Sequence, residues 1–134
     1  MTSTFRIGFA ALFVLLGSAP AHATSEISCT GIDDKDVYVS LIIGSVPGLA
    51  IVGTLISTKE DAWTLGGIAG VTPITLVQAA RDGDRIIVDY ADENVERIFA
   101  SLRLLTAQEG EDYVTVGTLT LPGTGAYALT CEGP

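Results

Sequence analysis

Residues 125–131 read Gly-Ala-Tyr-Ala-Leu-Thr-Cys and decide the fold, because Cys131 has a single possible partner, Cys29, near the other end of the chain. With two cysteines in the sequence, only one intramolecular pairing exists. An even cysteine count in an exported chain indicates a disulfide. Closing a loop of about 100 residues would stabilise the fold by about 4–5 kcal/mol. The two ends of the domain are therefore expected to be neighbours.

Residues 1–23 have the pattern of a secretory signal peptide. Arg6 provides a short positive start, residues 7–16 are almost entirely apolar, and Ala21-His22-Ala23 forms a small-x-small cleavage site. The apolar run is shorter than the roughly 20 residues that a membrane-spanning helix needs, and no cysteine directly follows the cleavage site for a lipid anchor. We expect no membrane span, export to the periplasm or the extracellular space, and a single domain over residues 24–134.

The expected mature chain is strongly acidic. It keeps all 16 acidic residues but loses Arg6 from the 7 basic ones, which leaves a formal net charge of about −10. Such a surface repels phosphate backbones and anionic lipid headgroups, so nucleic acid is not an expected partner. A basic protein or another envelope component is electrostatically suited to this surface. The simplest alternative is that the acidity serves solubility alone.

Alternating apolar and polar residues, typical of half-buried strands, predict about eight β-strands. The predicted strands cover residues 25–30, 37–43, 49–57, 74–80, 85–90, 97–107, 112–121 and 126–131. A helix competes for residues 97–107, which are rich in alanine, leucine and arginine. Apolar residues at the even positions 98, 100, 102 and 104 favour the strand. In the third predicted strand, Gly53 suggests a bulge or a bend.

Short strands separated by turns indicate an all-β fold, a small antiparallel meander. The expected disulfide between the terminal strands favours a closed or partly closed barrel, because a meander whose ends are neighbours closes most simply on itself. A β-sandwich is the alternative. The last strand is expected to pair with residues 27–30.

Residues 58–73 are predicted to be the longest irregular excursion of the chain, with residues 62–65 as either a short strand or the start of a loop. Long loops on small barrels commonly carry binding surfaces. The candidate partner-binding residues are Asp61, Trp63, Gly66 and Gly67. Aromatic residues are frequent at binding hot spots, although a lone tryptophan such as Trp63 can equally plug the end of a barrel core.

The expected mature chain lacks the side chains that most catalytic mechanisms use. The only histidine, His22, lies in the signal segment, which excludes imidazole bases and histidine-ligated metals. A disulfide would use both thiols. Lys35 and Lys59 lie in polar turns, whereas a catalytic lysine is usually buried. We therefore assign no catalytic residue and no cofactor, and expect a protein that is not an enzyme.

Acidic residues in turns are the remaining candidates for catalysis or metal binding. Two clusters are present, one at Asp33, Asp34 and Asp36, and one that includes Asp89 and Asp92 together with glutamates 93 and 96. Facing carboxyls could serve a glycoside hydrolase, and hard oxygen ligands could bind calcium, but neither cluster has the spacing of a known calcium loop. Their simplest interpretation is that they are solvated turn residues.

Our leading hypothesis is non-catalytic binding to an envelope or extracellular partner through residues 58–73 and the acidic turns. The expected architecture resembles the small disulfide-linked barrels that bacteria export as inhibitors of lysozymes or proteases, and an acidic surface suits a basic hydrolase as the target. This resemblance is one of architecture, since Trp63-Thr64-Leu65-Gly66-Gly67 is the nearest stretch to the serine-glycine-tyrosine type of motif of the lysozyme inhibitors. A carboxylate-dependent hydrolase and a carrier that binds a small ligand in the barrel interior are the alternatives.

Overall fold

A computed structural model describes residues 24–133 as one ten-stranded sheet that curls into a nearly closed barrel. The predicted signal segment, residues 1–23, lies outside the described residues, as does Pro134. Among residues 24–133, no helix is long and apolar enough to cross a membrane. The strands are β1 (Ser25–Gly31), β2 (Tyr38–Ile43), β3 (Ile51–Ser57), β4 (Ala62–Leu65), β5 (Thr72–Pro73), β6 (Thr75–Asp82), β7 (Arg85–Ala91), β8 (Ile98–Glu109), β9 (Asp112–Leu121) and β10 (Gly125–Glu132).

The disulfide joins the first and last strands, as predicted. Cys29 lies directly opposite Cys131 in the antiparallel β1–β10 ladder, and the two are bonded. The strand order is β5-β4-β3-β2-β1-β10-β9-β8-β7-β6, so β1 and β10 occupy the middle of the sheet rather than its edges. The all-β class and the barrel-like closure are thus confirmed, and the described residues form a single sheet instead of the two sheets of a sandwich.

The predicted number of strands was wrong, and the error lies within residues 58–73. This stretch contains β4, which pairs with β3, and β5, which runs parallel to β4 at Trp63 and Thr64. Between β4 and β5 the chain turns through glycines such as Gly66 and Gly67, whose positive φ angles of 110° and 73° favour glycine. The excursion is therefore partly regular, and β5 departs from a purely antiparallel meander.

The free edges of the sheet are β5 and β6, which are separated in sequence by Ile74 alone. Ile74 donates a backbone hydrogen bond to the carbonyl of Thr64, at 3.0 Å. Inside the barrel, the hydroxyls of Thr54 on β3 and Tyr90 on β7 share a hydrogen bond of 2.5 Å. The seam of the barrel therefore lies in the middle of the chain, far from the disulfide in strand order.

Inward-facing apolar side chains fill the barrel. They come from both halves of the sheet and include Val39, Leu41, Val88, Leu102 and Leu119, all of which are fully buried. The interior leaves no space for an added methyl group at Gly117, where a Cβ atom would collide with the backbone carbonyl of Arg103. This close packing is typical of small barrels whose interiors are filled by side chains.

Three bulges interrupt the ladders and curl the sheet. The unpaired residues are Val52 in β3, Val77 in β6 and Phe99 in β8. The first is adjacent to Gly53, where a bulge or bend was predicted. The third corrects a sequence prediction: Ile98 does not share the buried face of Ala100, because the bulge shifts the alternation and leaves Ile98 42% exposed.

Candidate functional site: the acidic rim

Three turns rich in acidic residues project from the same end of the barrel. In an antiparallel sheet successive turns alternate between the two ends, so the β1–β2, β3–β4 and β7–β8 connections meet at one end. We call these turns, residues 32–37, 58–61 and 92–97, the acidic rim. Its acidic members are Asp33, Asp34, Asp36, Glu60, Asp61, Asp92, Glu93 and Glu96. Its basic members are Lys35, Lys59 and Arg97, so the acidic rim carries about half of the acidic residues and a clear negative excess.

The first rim turn is fixed by its own backbone and by one of its acids. The carboxylate of Asp34 accepts a hydrogen bond from the backbone N–H of Asp36, at 3.1 Å, and its carbonyl accepts one from Val37. Asp33 and Asp36 are exposed beside it. An aspartate that binds the backbone two residues ahead is a common turn stabiliser, so Asp34 holds the turn and its neighbours face solvent.

The third rim turn is held by Asp92 in a similar way. Its carboxylate accepts a hydrogen bond from the backbone N–H of Glu96, at 2.9 Å, and lies 3.8 Å from the guanidinium of Arg97. Within this turn Val95 has a φ of 58°, which is rare for a β-branched residue, and its side chain is 56% exposed. The turn thus presents an exposed apolar residue among acids, in a strained backbone conformation.

The second rim turn leads directly into Trp63. Asp61 is exposed, and its N–H bonds the hydroxyl of Thr58, at 3.2 Å. Trp63 lies two residues further along, is half-buried, and packs on Phe99 with ring centroids 4.8 Å apart. Phe99 is the unpaired residue of the bulge in β8. The aromatic pair packs against the core and joins β4 to β8, while part of Trp63 stays exposed near the acidic rim.

Two candidate residues and one acid lie away from the acidic rim. Gly66 and Gly67 follow β4 and lie towards the opposite end of the barrel, because four strand residues advance the chain by about 13 Å. Asp89 lies on the outward side of β7 and is buried beneath Arg103. The structure therefore brings Asp33, Asp36, Asp61 and Asp92 to one rim but does not bring Gly66, Gly67 or Asp89 to it.

Asp89 forms an ion pair that the sequence alone did not reveal. Its carboxylate lies 2.8 Å from Nη1 of Arg103 on the neighbouring strand β8. Burial on its own would raise the pKa of Asp89, but the hydrogen bonds from Arg103 and Ser101 and the charge of Arg103 outweigh it and lower the pKa below the usual 3.8. The outward placement of both side chains could have suggested the pair, had the strand register been known.

The alternative functions find less support in this geometry. Asp89 is not suited to be the acid of a glycoside hydrolase, which needs a raised pKa, because the pKa of Asp89 is lowered. Within residues 24–133, no three carboxylate, histidine or cysteine side chains form a group that could hold a metal ion, which includes the calcium candidates. The filled barrel interior counts against a carrier that would bind its ligand there.

The chain matches no family model, no curated protein and no solved structure. Its own residues, above all those of the acidic rim, are therefore the guide to its function. The disulfide is compatible with a periplasmic or extracellular location, where such bonds persist.

Proposed function

We propose that this protein is an exported, non-catalytic binding protein whose acidic rim binds a basic protein of the cell envelope or the extracellular space. The expected partner is a basic hydrolase, whose activity the bound domain would inhibit. The proposal includes removal of residues 1–23 as a signal peptide during export. The observation that carries it is the gathering of three separate acidic turns at one end of the barrel.

Charge at the acidic rim supports both recognition and rapid association. Complementary potentials steer two proteins together and mainly raise the association rate, so the effect is strongest at low salt. The turns are held by Asp34 and Asp92, which leaves Asp33, Asp36 and Glu93 exposed to a partner. Because the turn backbones are already ordered, binding would require little additional ordering of the chain.

Two side chains give the acidic rim apolar contact area in addition to its charge. Val95 is an exposed apolar residue within the third turn, and Trp63 keeps part of its ring accessible beside the second. Binding hot spots commonly consist of such aromatic or apolar anchors within a polar surround. The acids would then steer the partner, and these two side chains would add contact area.

The direct test measures binding of the mature domain, residues 24–134, to a purified basic lysozyme and to basic proteins recovered from an envelope extract. The rim variant Asp36→Asn/Glu93→Gln removes two exposed charges. It is expected to weaken binding by about 3- to 30-fold, if each charge contributes about 0.3–1 kcal/mol. Calorimetry gives the affinity, and the association rate at low and high salt identifies the electrostatic part.

A matched control removes the same charge from the opposite end of the barrel. Asp82→Asn/Glu111→Gln changes two exposed acids, one at the end of β6 and one in the turn between β8 and β9. It should leave the affinity within about twofold, because screening weakens charges more than about 10 Å away. Equal losses in the rim variant and the control would refute recognition by the acidic rim. Unchanged binding in both, or turnover of a substrate by the domain alone, would also contradict the proposal.

A further inference from the structure

The outward side of strands β7 to β10 differs from the rest of this acidic protein. Strand register places its outward residues in cross-strand rows, and the two central rows contain no acidic residue. The first row is Arg85, Leu105, Val116 and Thr130, and the second is Ile87, Arg103, Thr118 and Ala128. This face is therefore apolar and cationic, whereas the acidic residues lie mainly in the turns.

A groove of about 720 Å³ runs along this face, and we call it the outer groove. Its apolar lining includes Leu105 and Val116, which pair directly across β8 and β9 and are 44% and 40% exposed. Ile32, 47% exposed, lines it beside β10. Single exposed apolar residues are ordinary, but a contiguous groove within the size range of small-ligand sites is informative.

Two arginines lie at one side of the outer groove, on β7 and β8. Arg85 pairs with Leu105 and Arg103 with Ile87, so the two arginines are diagonal neighbours, whose backbones lie about 7–8 Å apart. Nη1 of Arg103 is occupied by Asp89 and by the carbonyls of Val88 and Leu102, so only Nε and Nη2 of Arg103 could contact a ligand. Arg85 forms no salt bridge within the described residues. One anionic group placed between the two side chains could contact both guanidinium groups.

We propose that the outer groove binds a single-chain anionic amphiphile of the fatty-acid class. The carboxylate would lie against Arg85 and Arg103, and the alkyl chain would cross Leu105 and Val116 towards Ala128. The path from β7 to β10 spans three strand spacings, about 14 Å. A negative head next to an apolar tail complements two arginines next to an apolar floor. A second copy would complement it less well, because it would bring two more arginines to the same face.

The outer groove is separate from the barrel interior and borders the acidic rim only at Ile32. It lies on the outside of the sheet and uses none of the residues assigned to recognition of a basic protein. The probe is dodecanoate, used below its micelle concentration and titrated by calorimetry into the disulfide-bonded mature domain. We expect saturable binding of one molecule per chain, and binding of dodecanol, which has no charge, at least about tenfold weaker.

Two variants separate the head and tail contacts. Arg85→Gln should weaken dodecanoate binding by about tenfold or more, because a charge-assisted contact is lost. Val116→Asp should abolish detectable binding, since it places a carboxylate on the path of the alkyl chain. The matched controls Arg97→Gln, on the acidic rim, and Val52→Asp, at an exposed position of β3, make the same changes elsewhere and should keep wild-type affinity. Circular dichroism checks that each variant is folded.

Several results would overturn the proposal. The proposal fails if dodecanoate does not bind saturably or if dodecanol binds with equal affinity. It also fails if Arg97→Gln and Arg85→Gln lose equal amounts of dodecanoate affinity. Analytical ultracentrifugation tests whether a second copy of the chain covers this face instead. A wild-type dimer that Val116→Asp converts to a monomer would mean that a second copy covers the outer groove, and the amphiphile site would be rejected.

Discussion

The hydrogen bond between Thr54 and Tyr90 provides the sharpest test of how the barrel is held together. It connects β3 with β7, from the two sides of the open seam, at 2.5 Å. Tyr90 is fully buried and Thr54 is 3% exposed, so water cannot replace either partner. Removing one hydroxyl should therefore leave the other buried without a partner.

The expected loss in the free energy of unfolding follows from the burial of both hydroxyls. Tyr90→Phe leaves the Thr54 hydroxyl unsatisfied, and Thr54→Val leaves the Tyr90 hydroxyl unsatisfied, so each should reduce the free energy of unfolding by about 1–3 kcal/mol. The double variant replaces both partners by apolar groups of similar shape and leaves no orphaned hydroxyl. It should therefore cost no more than about one single variant. The resulting coupling energy is about 1–3 kcal/mol.

Urea unfolding at neutral pH, with the disulfide intact in all four proteins, measures these free energies. Tyr113→Phe is the control, because Tyr113 is 54% exposed and loses a hydroxyl that water can solvate. Its free energy of unfolding should stay within about 0.5 kcal/mol of the wild type. If the double variant loses the sum of the two single losses, the two hydroxyls do not act as a pair, and the proposed bridge across the seam is refuted.

Four further predictions concern pH, the disulfide, the core and the acidic rim. Burial raises the pKa of Tyr90 to about 12, although its hydrogen bond to Thr54 acts in the opposite direction. Since the unfolded tyrosine ionises near pH 10, this contribution to stability should be complete below pH 10 and decline between pH 10 and 12, by about 2–3 kcal/mol, and Tyr90→Phe should lack that decline in pH-dependent unfolding. Replacing Cys29 and Cys131 by alanine opens a loop with a sequence separation of 102 and should cost about 4–5 kcal/mol. Hydrogen exchange should then accelerate first in β1 and β10. Equal acceleration in all strands would argue against a local stabilising role of the disulfide. Gly117→Ala should destabilise by about 1–3 kcal/mol in urea unfolding, because its methyl group would collide with the backbone of β8. Val95→Gly should raise the free energy of unfolding by about 0.5–1 kcal/mol, because glycine tolerates the positive φ at this position. The same change should weaken binding to a basic partner, because it removes an apolar contact. A lower free energy of unfolding would instead show that the valine side chain supports the turn.

The sequence predicted the fold wherever two-residue alternation was strong. The strand predicted at residues 112–121 has the same bounds in the structure, and Ala100, Leu102 and Leu104 of the strand predicted at residues 97–107 are buried, as their alternation indicates. The pairing of the terminal strands followed from cysteine count alone, because two thiols allow one connection. These features depend on local pattern or on covalent chemistry, and neither requires knowledge of distant neighbours.

The errors occur where a distant strand decides the local structure. Residues 62–65 were predicted as a short strand or the start of a loop, and the strand alternative is correct because β3 offers β4 an edge. β5, which was not predicted, is too short to give a periodic pattern and forms on the edge of β4. The bulge at Phe99 likewise depends on the register between β7 and β8. The Asp89–Arg103 pair requires the same register. The acidic clusters were visible in the sequence, but their position at one end became clear only from the order of the strands.

The acidic rim lies across the seam of the barrel, which links its geometry to the contacts that hold the seam. The turn at residues 58–61 belongs to β3 and β4 on one side, and the turn at residues 92–97 belongs to β7 and β8 on the other. Among residues 24–133 no ladder joins these two sides directly, so their spacing depends on the chain at Ile74, on the Thr54–Tyr90 bond and on the packing of Trp63 against Phe99. The disulfide lies in the middle of the sheet and cannot set that spacing. It follows that the contacts at the seam, rather than the disulfide, determine how the acidic turns are spaced around this end of the barrel.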